Sequence, residues 1–557
     1  MAVGDASKNG KKKVVIVGGG AAGMSCAATL AQHPEKFDIT IIERMSVLGG
    51  QATSIALDKE KYGTTWMNDG VQGGSPIFKH TFRFMERYGH HPQGVKLQVA
   101  FGQGKDSFWT NCFPSPLVDQ FSKDIKKFGK VLKLIKYTMP VLGLVPIRIM
   151  LRLFFFSKDF GDKMVYPLIA LFLGTEPSPL TPYLGNQTAN VACAILERLF
   201  DDPNMKLWNY DPDTLLPNLP DMVTFPSCDK FYKDWAADLR SKGVDIRTNT
   251  DVTAIKSRTK KGVVLETAPF DPEKGKTDPK GGQRAGGHTG PTSVTETFDD
   301  MVLAVLADDA KKLLGKTSSF FERFVLGGAY FYNDITITHS DSDYFSNNFE
   351  THFSDDLCAK PKNKQQEEQV AFAKNQITRR EGDGEPAGYR PMYYTHSYKE
   401  DMAKIEMAFD CTNYQHQFRQ DSPDSVTGEK PGQPHTQHVF QSIFLDEDHR
   451  DKWTIDQIDP EKIILRKWWH QLGHRWQHYI RVVPNMMWLQ GKRRTWYAGS
   501  WTLVNMHEMA CVSGIAAAWR LGAEYTVFDA FAEDLFQKYL LISHGKMYKK
   551  KGGEKGD

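Results

Sequence analysis

The stretch "KKVVIVGGGAAGMSCAATLAQ", Lys12 to Gln32, decides how the rest of the chain is read. It opens on an apolar, β-branched run, Val14 to Val17, which predicts a buried strand. Gly18, Gly20 and Gly23 follow in G-x-G-x-x-G spacing, and an Ala-rich run through Ala27, Ala28 and Leu30 predicts a helix. Strand, tight turn and helix in that order let the backbone approach a pyrophosphate, whose charge sits at the positive end of the helix. Gly18, Gly20, Ala22 and Gly23 are therefore candidate binding residues. A second strand, "FDITIIE", ends in Glu43, about twenty residues past Gly23, where an acid accepts from a ribose hydroxyl. An acid at that place favours an adenosine ribose without a 2′-phosphate.

Composition bounds the remainder. A chain of 557 residues exceeds the size at which one core keeps growing, so two or more domains, or one with large insertions, are expected. The 70 Lys+Arg nearly balance 67 Asp+Glu, and long basic runs are confined to the termini, which argues against a nucleic-acid partner. The seven cysteines are scattered without a CxxC pair or metal-ligand spacing, which suits a reducing compartment and free thiols. The opening "MAVGDASKNGKKK" is polar and basic, without the apolar core of a secretory signal. The expected location is intracellular, cytoplasmic or peripherally membrane-associated.

After Glu43 come "RMSVLGGQATS", with Arg44, Gly49, Gly50 and Gln51, and "MNDGVQGGS", with Asp69, Gly70 and Val71. With these segments the sequence resembles the flavin amine oxidase and phytoene desaturase superfamily, in which a Gly-Gly and a later Asp-Gly segment approach the flavin. The resemblance implies FAD and an α/β fold, a Rossmann-like FAD-binding domain interleaved with an α+β substrate-binding domain. "FPSCDKFYKDWAADLRSKGVDIRTNTDVTAIKSR" resembles the superfamily's returning element: a helix from about Lys230 to Ser241, Gly243 at its C-terminal cap, and a strand reaching Val252, whose counterpart touches adenine through its backbone. "FDDMVLAVLADDAKKLL" is similar to the strand and helix that close this domain. "TWYAGSWTLVNMHEMACVSGIAAAWRLGA" resembles the second flavin motif, with Gly499 ending a short strand and small residues from Ser513 to Ala518 on the following helix. Ser500 stands where many relatives carry an acid. "FYNDITITHSDSDYF", "KIEMAFDCTNYQ" and "WQHYIRVVPNMMWLQGKRRTWYAGS" resemble a subgroup of FAD-dependent proteins linked with fatty-acid metabolism, which implies a lipid-like substrate.

The expected organisation is discontinuous: residues 1–80, 220–315 and 490–530 for the FAD-binding domain, 81–219 and 316–489 for the substrate domain, and 531–557 for a C-terminal helix and basic tail. The Gly-, Lys- and Pro-rich stretch Asp271 to Pro291 lies between two β-like runs and reads as a solvated hairpin loop; residues 359–388 read as a polar surface insertion. No second nucleotide motif follows, which argues against pyridine-nucleotide disulfide reductases and two-nucleotide monooxygenases.

One segment is out of character. "GKVLKLIKYTMPVLGLVPIRIMLRLFFFS", Gly129 to Ser157, is greasy, yet its longest uncharged piece, Tyr137 to Ile147, has eleven residues and contains Pro140 and Pro146, against the roughly twenty apolar residues of a spanning helix. Lysines 123 to 136 and Arg148 and Arg152 recur at helical spacing beside apolar residues, so two helices broken near the prolines are expected over about 123–160. They read equally as an interfacial, membrane-facing pair or as buried helices with snorkelling cations. Both readings suit a basic-rimmed entrance for an amphiphile with a carboxylate, which Arg148 or Arg152 would hold.

Within "RKWWHQLGHRWQHYIRVV", Trp468, Trp469, Trp476 and Tyr479 are candidates for an aromatic cage, and His470, His474 and His478 would share one face if the segment were helical. No Glu stands at metalloprotease spacing, and no metal is expected. The catalytic candidates are His507 and Glu508, which open the last flavin helix and either face the flavin or charge that helix's first turn, with Tyr479 and Trp476. The expected function is FAD-dependent hydride transfer from a lipophilic, unsaturated fatty-acid or isoprenoid substrate, as desaturation or double-bond isomerisation. The alternatives are an amine or amino-acid oxidase and a non-catalytic flavin-binding protein at a membrane surface.

Overall fold

The structure, a computed structural model, describes residues 10–139, 141–173, 200, 209–274, 286–290, 293–374, 388–398, 405–420, 435–444 and 453–548. The first nine residues, the basic tail from 549, most of the Gly-rich loop and residues 375–387 of the polar insertion lie outside them.

Lys12–Val17 (β1), Phe37–Ile42 (β2), Asp245–Arg247 (β3), Asp300–Leu303 (β4) and Thr495–Tyr497 (β5) form one parallel sheet in the order β3-β2-β1-β4-β5. Val14 pairs with both Ile39 and Asp300, so β1 lies between β2 and β4 and the strand order reverses at its carboxyl end. That reversal is where open α/β sheets bind their ligands. The strands are near-continuously apolar because helices cover them.

The helices that matter below are Ala21–Leu30 (α1), Lys79–Arg87 (α2), Ser122–Tyr137 (α3), Ile147–Leu153 (α4), Cys228–Ser241 (α5), His507–Leu521 (α6) and Ala530–His544 (α7). Every residue of α1 is buried, and its small side chains let α6 pack against it. A Cβ on Gly514 would lie 2.0 Å from the Ala22 carbonyl oxygen. Ser25 Oγ donates to the Cys511 carbonyl at 3.0 Å across the same contact.

A second, seven-stranded sheet runs in the order Ile463–Gly473, Tyr330–His339, Phe440–Phe444, Ile405–Asp410, Tyr393–Ser397, Val99–Phe101, Trp109–Thr110. All its pairs are antiparallel except Tyr393–Ser397 with Val99–Phe101. On one side lies a helical layer: α3, α4 and Tyr166–Leu173 share a core with Val504, Met509 and Val512 at α6 and with Leu535, Phe536 and Tyr539 of α7. Among the described residues, no helix is long and apolar enough to cross a membrane.

Several expectations change in detail. The break at residues 80/81 falls inside α2, whose Met85 sits in the core beneath the parallel sheet. The C-terminal helix expected from 531 forms as α7, and it packs into the fold, with Tyr525 stacked on Phe536 at 3.9 Å and Tyr539 bonded to Thr502. The strand expected to reach Val252 is two strands, β3 and Thr250–Thr259. His470, His474 and His478 do not share a helix face: His470 lies within strand Ile463–Gly473, His474 follows it, and His478 belongs to the short helix Trp476–Arg481. The run pairs with Tyr330–His339 only as far as Gly473, and that ladder overrides the helical spacing. The Gly-rich loop does join paired strands, Val263 against Phe298.

Candidate dinucleotide and substrate site

At the carboxyl end of β1 the backbone turns through Gly18–Gly20 into α1. The turn must be tight: a Cβ on Gly23 would lie 1.9 Å from the Gly18 carbonyl oxygen. Gly20 stands at the N-terminal cap of α1, and neither a capping side chain nor an acidic residue in the first turn occupies that positive end. Ala22 lies in that first turn. These main-chain donors fit a pyrophosphate.

The other glycine segments are wired to this turn. Gly49 N donates to Gly19 O at 3.0 Å, Val71 N to Gln51 O at 3.3 Å and Asp69 N to Thr53 O at 3.2 Å. Glu43 follows β2, and its carboxylate accepts from Gly19 N at 2.7 Å and Met45 N at 2.8 Å. Burial pushes this carboxyl above the usual range, against the pull of those two N–H groups. A carboxylate has lone pairs to spare beyond these two bonds, so it can also accept from a ribose hydroxyl. Thr250 N donates to Glu43 O, and Val252 packs with Val17 and Ile42, so the segment expected at an adenine borders Glu43. Arg44 and Gly50 are exposed.

On the facing side, strand Ile463–Gly473 closes the site. Gln51 Nε2 donates to the His470 carbonyl at 3.1 Å. Lys467 Nζ pairs with Asp69 Oδ2 at 2.7 Å, donates to Thr53 Oγ1 at 2.8 Å and lies 4.1 Å from the Trp469 ring centre. Lys467 is a site residue that the sequence reading passed over; the signal was a cation directly beside the aromatics of "RKWWH". Gly70 and Val71 are half-buried beside this triangle.

Gly499 N donates to Ser513 Oγ at 2.8 Å, which joins the end of β5 to α6. Ser500 Oγ donates to Asn505 Oδ1 at 2.9 Å, and Asn505 N donates to His474 Nε2 at 3.4 Å. His474 Nδ1 in turn meets the Tyr479 hydroxyl at 2.7 Å. Burial, with His478 close by, lowers His474 to about 3, so this chain of contacts runs through a neutral imidazole. Trp476 is half-buried at the first turn of the short helix.

His507 and Glu508 are bonded within the fold: Glu508 accepts from His80 N at 3.0 Å and Thr81 N at 2.8 Å and pairs with His80 Nδ1 at 2.7 Å. His507 meets Thr81 Oγ1 at 3.0 Å and the Tyr232 hydroxyl at 2.8 Å, so both its ring nitrogens are engaged. Both residues lock α6 to the start of α2 and to α5. The α2 residue His80, remote in sequence, could not have been seen as their partner.

Of the aromatic cage candidates, Trp468 and Trp469 cannot face one space. Trp468 and Trp469 are neighbours on a strand and point to opposite faces. Trp468 packs with the core of Phe345, Phe440 and Phe444, while Lys467 lies over Trp469. Arg148 is half-buried on α4, Arg152 is exposed, and both charges act on the Tyr166 phenol in the helical layer.

Residues 16–88 match the family of NAD(P)-binding Rossmann-like domains. The whole chain is similar to a CLA-producing fatty acid isomerase from P. acnes, at 15% identity and a TM-score of 0.55 over 93% of this chain and 100% of that one. The fold is that of the amine-oxidase-like flavoenzymes. A redesigned putrescine oxidase superposes at 10% identity and a TM-score of 0.54 (92% of this chain, 99% of that one). A putative protoporphyrinogen oxidase from Exiguobacterium sp. 255-15 does so at 13% and 0.53 (92% and 98%). No curated protein matches the sequence.

Proposed function

We propose that the protein is an FAD-dependent oxidoreductase that acts on a lipophilic, unsaturated fatty-acid or isoprenoid chain, by desaturation or double-bond isomerisation. The observation that carries the substrate class is one continuous apolar body. Met506 and Met509, at the start of α6 beside the dinucleotide layer, belong to the same core as α3, α4 and Tyr166–Leu173. That body ends at the surface in Tyr137, Val141, Leu153 and Phe155, with Tyr137 83% and Phe155 89% exposed. Lys123, Lys126, Lys130, Lys133 and Lys136 are exposed along α3 beside them. An amphiphile meets cations for its carboxylate at this rim and apolar surface inward of it. The same face suits peripheral contact with a lipid surface.

Gly18–Gly23, Glu43, Gly49–Gln51, Asp69–Val71, Val252 and Gly499–Ser500 would hold the FAD, within an FAD-binding domain drawn from residues 1–80, 220–315 and 490–530. Bound FAD would supply reversible hydride acceptance. The chain's own part is to bind the pyrophosphate on main-chain donors, fix Trp469 and Lys467 across the site through Asp69, and exclude water with the helical layer. Arg148, half-buried, would orient a carboxylate head, and Arg152 would meet it first. Tyr479, tied to His474, would position the chain rather than carry a charge.

The test is anaerobic mixing of the flavin-loaded protein with polyunsaturated fatty acids, isoprenoids and amines while flavin absorbance and product mass are followed together. A product two hydrogens lighter with lasting bleaching of the flavin is expected for desaturation. A conjugated product of unchanged mass with re-oxidised flavin is expected for isomerisation. Bleaching by amines alone would overturn the lipid reading.

A further inference from the structure

Apart from the dinucleotide site, the antiparallel sheet gathers imidazoles around one carboxylate. Asp410 ends strand Ile405–Asp410 and is fully buried. His435 and His438 are three residues apart, across the 3-10 turn His435–Gln437, and this spacing puts both rings on one side. One ligand atom from each of Asp410, His435 and His438 lies within 4.8 Å of the other two. His438 Nδ1 is already 2.7 Å from Asp410 Oδ2. The carboxylate is held in place by Asn413, whose N donates to Oδ1 at 3.0 Å and whose Nδ2 donates to Oδ2 at 2.9 Å.

Two observations point to a ligand. His435 Nε2 is buried without a hydrogen-bond partner among the described residues, an unfavourable state for a polar atom in a site walled by Phe345 and Phe440. A third imidazole, His352, lies with its ring centre 5.4 Å from that of His435, and its Nδ1 meets Thr351 Oγ1 at 2.8 Å.

We propose that Asp410, His435 and His438, with His352 as fourth ligand, form a structural site for a zinc-class divalent cation. Three imidazoles and one carboxylate suit zinc, whereas calcium and magnesium call for six or more oxygens. Tetrahedral bonds of about 2.0–2.2 Å put ligand atoms roughly 3.3 Å apart. The Asp410–His438 pair is already that close, and the other two rings close in by rotamer adjustment. The cation takes the position of the proton shared between His438 Nδ1 and Asp410 Oδ2, and that proton moves to His438 Nε2 or to solvent. The turn is tied here already, with Cys411 N donating to Val439 O and Val439 N to Thr412 Oγ1, and the cation would add the His352 segment. This site is independent of the flavin reading.

The full-length, flavin-loaded protein, stripped with a chelator, is titrated with ZnCl2 by calorimetry, its retained metal is measured by mass spectrometry, and CoCl2 is used as a visible probe. One zinc per chain, a raised Tm and intense tetrahedral Co2+ bands that zinc displaces are expected. His435→Gln and Asp410→Asn should each weaken zinc binding about 10- to 100-fold while the flavin content stays unchanged. Absence of saturable zinc binding by the wild type would overturn the proposal, as would undiminished affinity in His435→Gln or weak, octahedral-type Co2+ bands. Should a variant fail to fold, the wild-type Co2+ spectrum decides alone.

Discussion

Helices α1 and α3 are the two ends of one design. All ten residues of α1 are buried, and what it offers is its N-terminus, which carries no capping side chain. Helix α3 buries Ile125, Phe128, Gly129, Val131, Leu132 and Ile135 and keeps a flank of lysines in solvent, so what it offers is a face. A helix that acts through its end tolerates almost no side-chain volume around it.

The contrast can be broken first at the α1–α6 contact. Gly514→Leu drives a side chain into the Ala22 carbonyl, where overpacking costs about 1–3 kcal/mol at a yielding neighbour and more at backbone. The expected outcome is protein that purifies without flavin, read from its visible absorbance. Next comes Glu508→Ala, which strands His80 in a site where both side chains are almost wholly buried. Removing one member of a buried pair costs about 3–5 kcal/mol, so Tm should fall by several degrees.

The same pair gives a pH signature. Burial pushes Glu508 up, but the His80 ring and the N–H groups of Thr81 and His80 outweigh it and hold the carboxyl below its ordinary value of 4.5. Its contribution is therefore fully present above about pH 4.5 and is lost as the pH falls through the lower folded-state value. A thermal-shift series across acid pH should show a steeper loss for the wild type than for Glu508→Gln.

On the α3 side, Phe155→Ser combined with Lys130→Glu and Lys133→Glu changes exposed positions only. Stability should stay within about 0.5 kcal/mol per site, while sedimentation with anionic phospholipid vesicles should drop about tenfold or more. Unchanged sedimentation would remove the lipid-surface reading and leave the dinucleotide site untouched. The smallest effect is expected for Tyr479→Phe, which deletes one hydrogen bond to His474, worth about 0.5–1.5 kcal/mol. Because His474 is neutral, the pH profile of flavin reduction should keep its shape in that variant.

Legibility in the sequence followed the range of the forces involved. The Lys12–Gln32 stretch carries its own explanation, because strand propensity, turn glycines and helix start are all local. The broken helix pair near Pro146 was readable for the same reason, and α3 and α4 lie where the spacing put them. The histidines of 470–478 were misleading: a helical period in a short aromatic run cannot compete with a strand ladder to Tyr330–His339. Their apparent grouping dissolved, while Asp410, His435 and His438 formed a group that no spacing announces, since the carboxylate and the rings come from different segments.

The sequence by itself determined the dinucleotide turn, the acid at the end of β2 and the amphipathic character of 123–160, because each depends on neighbours within a few residues. Tertiary structure alone decided that His507 and Glu508 bond α6 to α2 and α5, that Lys467 pairs with Asp69, and that one apolar body links α6 to the exposed rim. Those outcomes depend on which distant group fills the remaining hydrogen-bond positions of a buried polar atom, and burial is a property of the assembled chain.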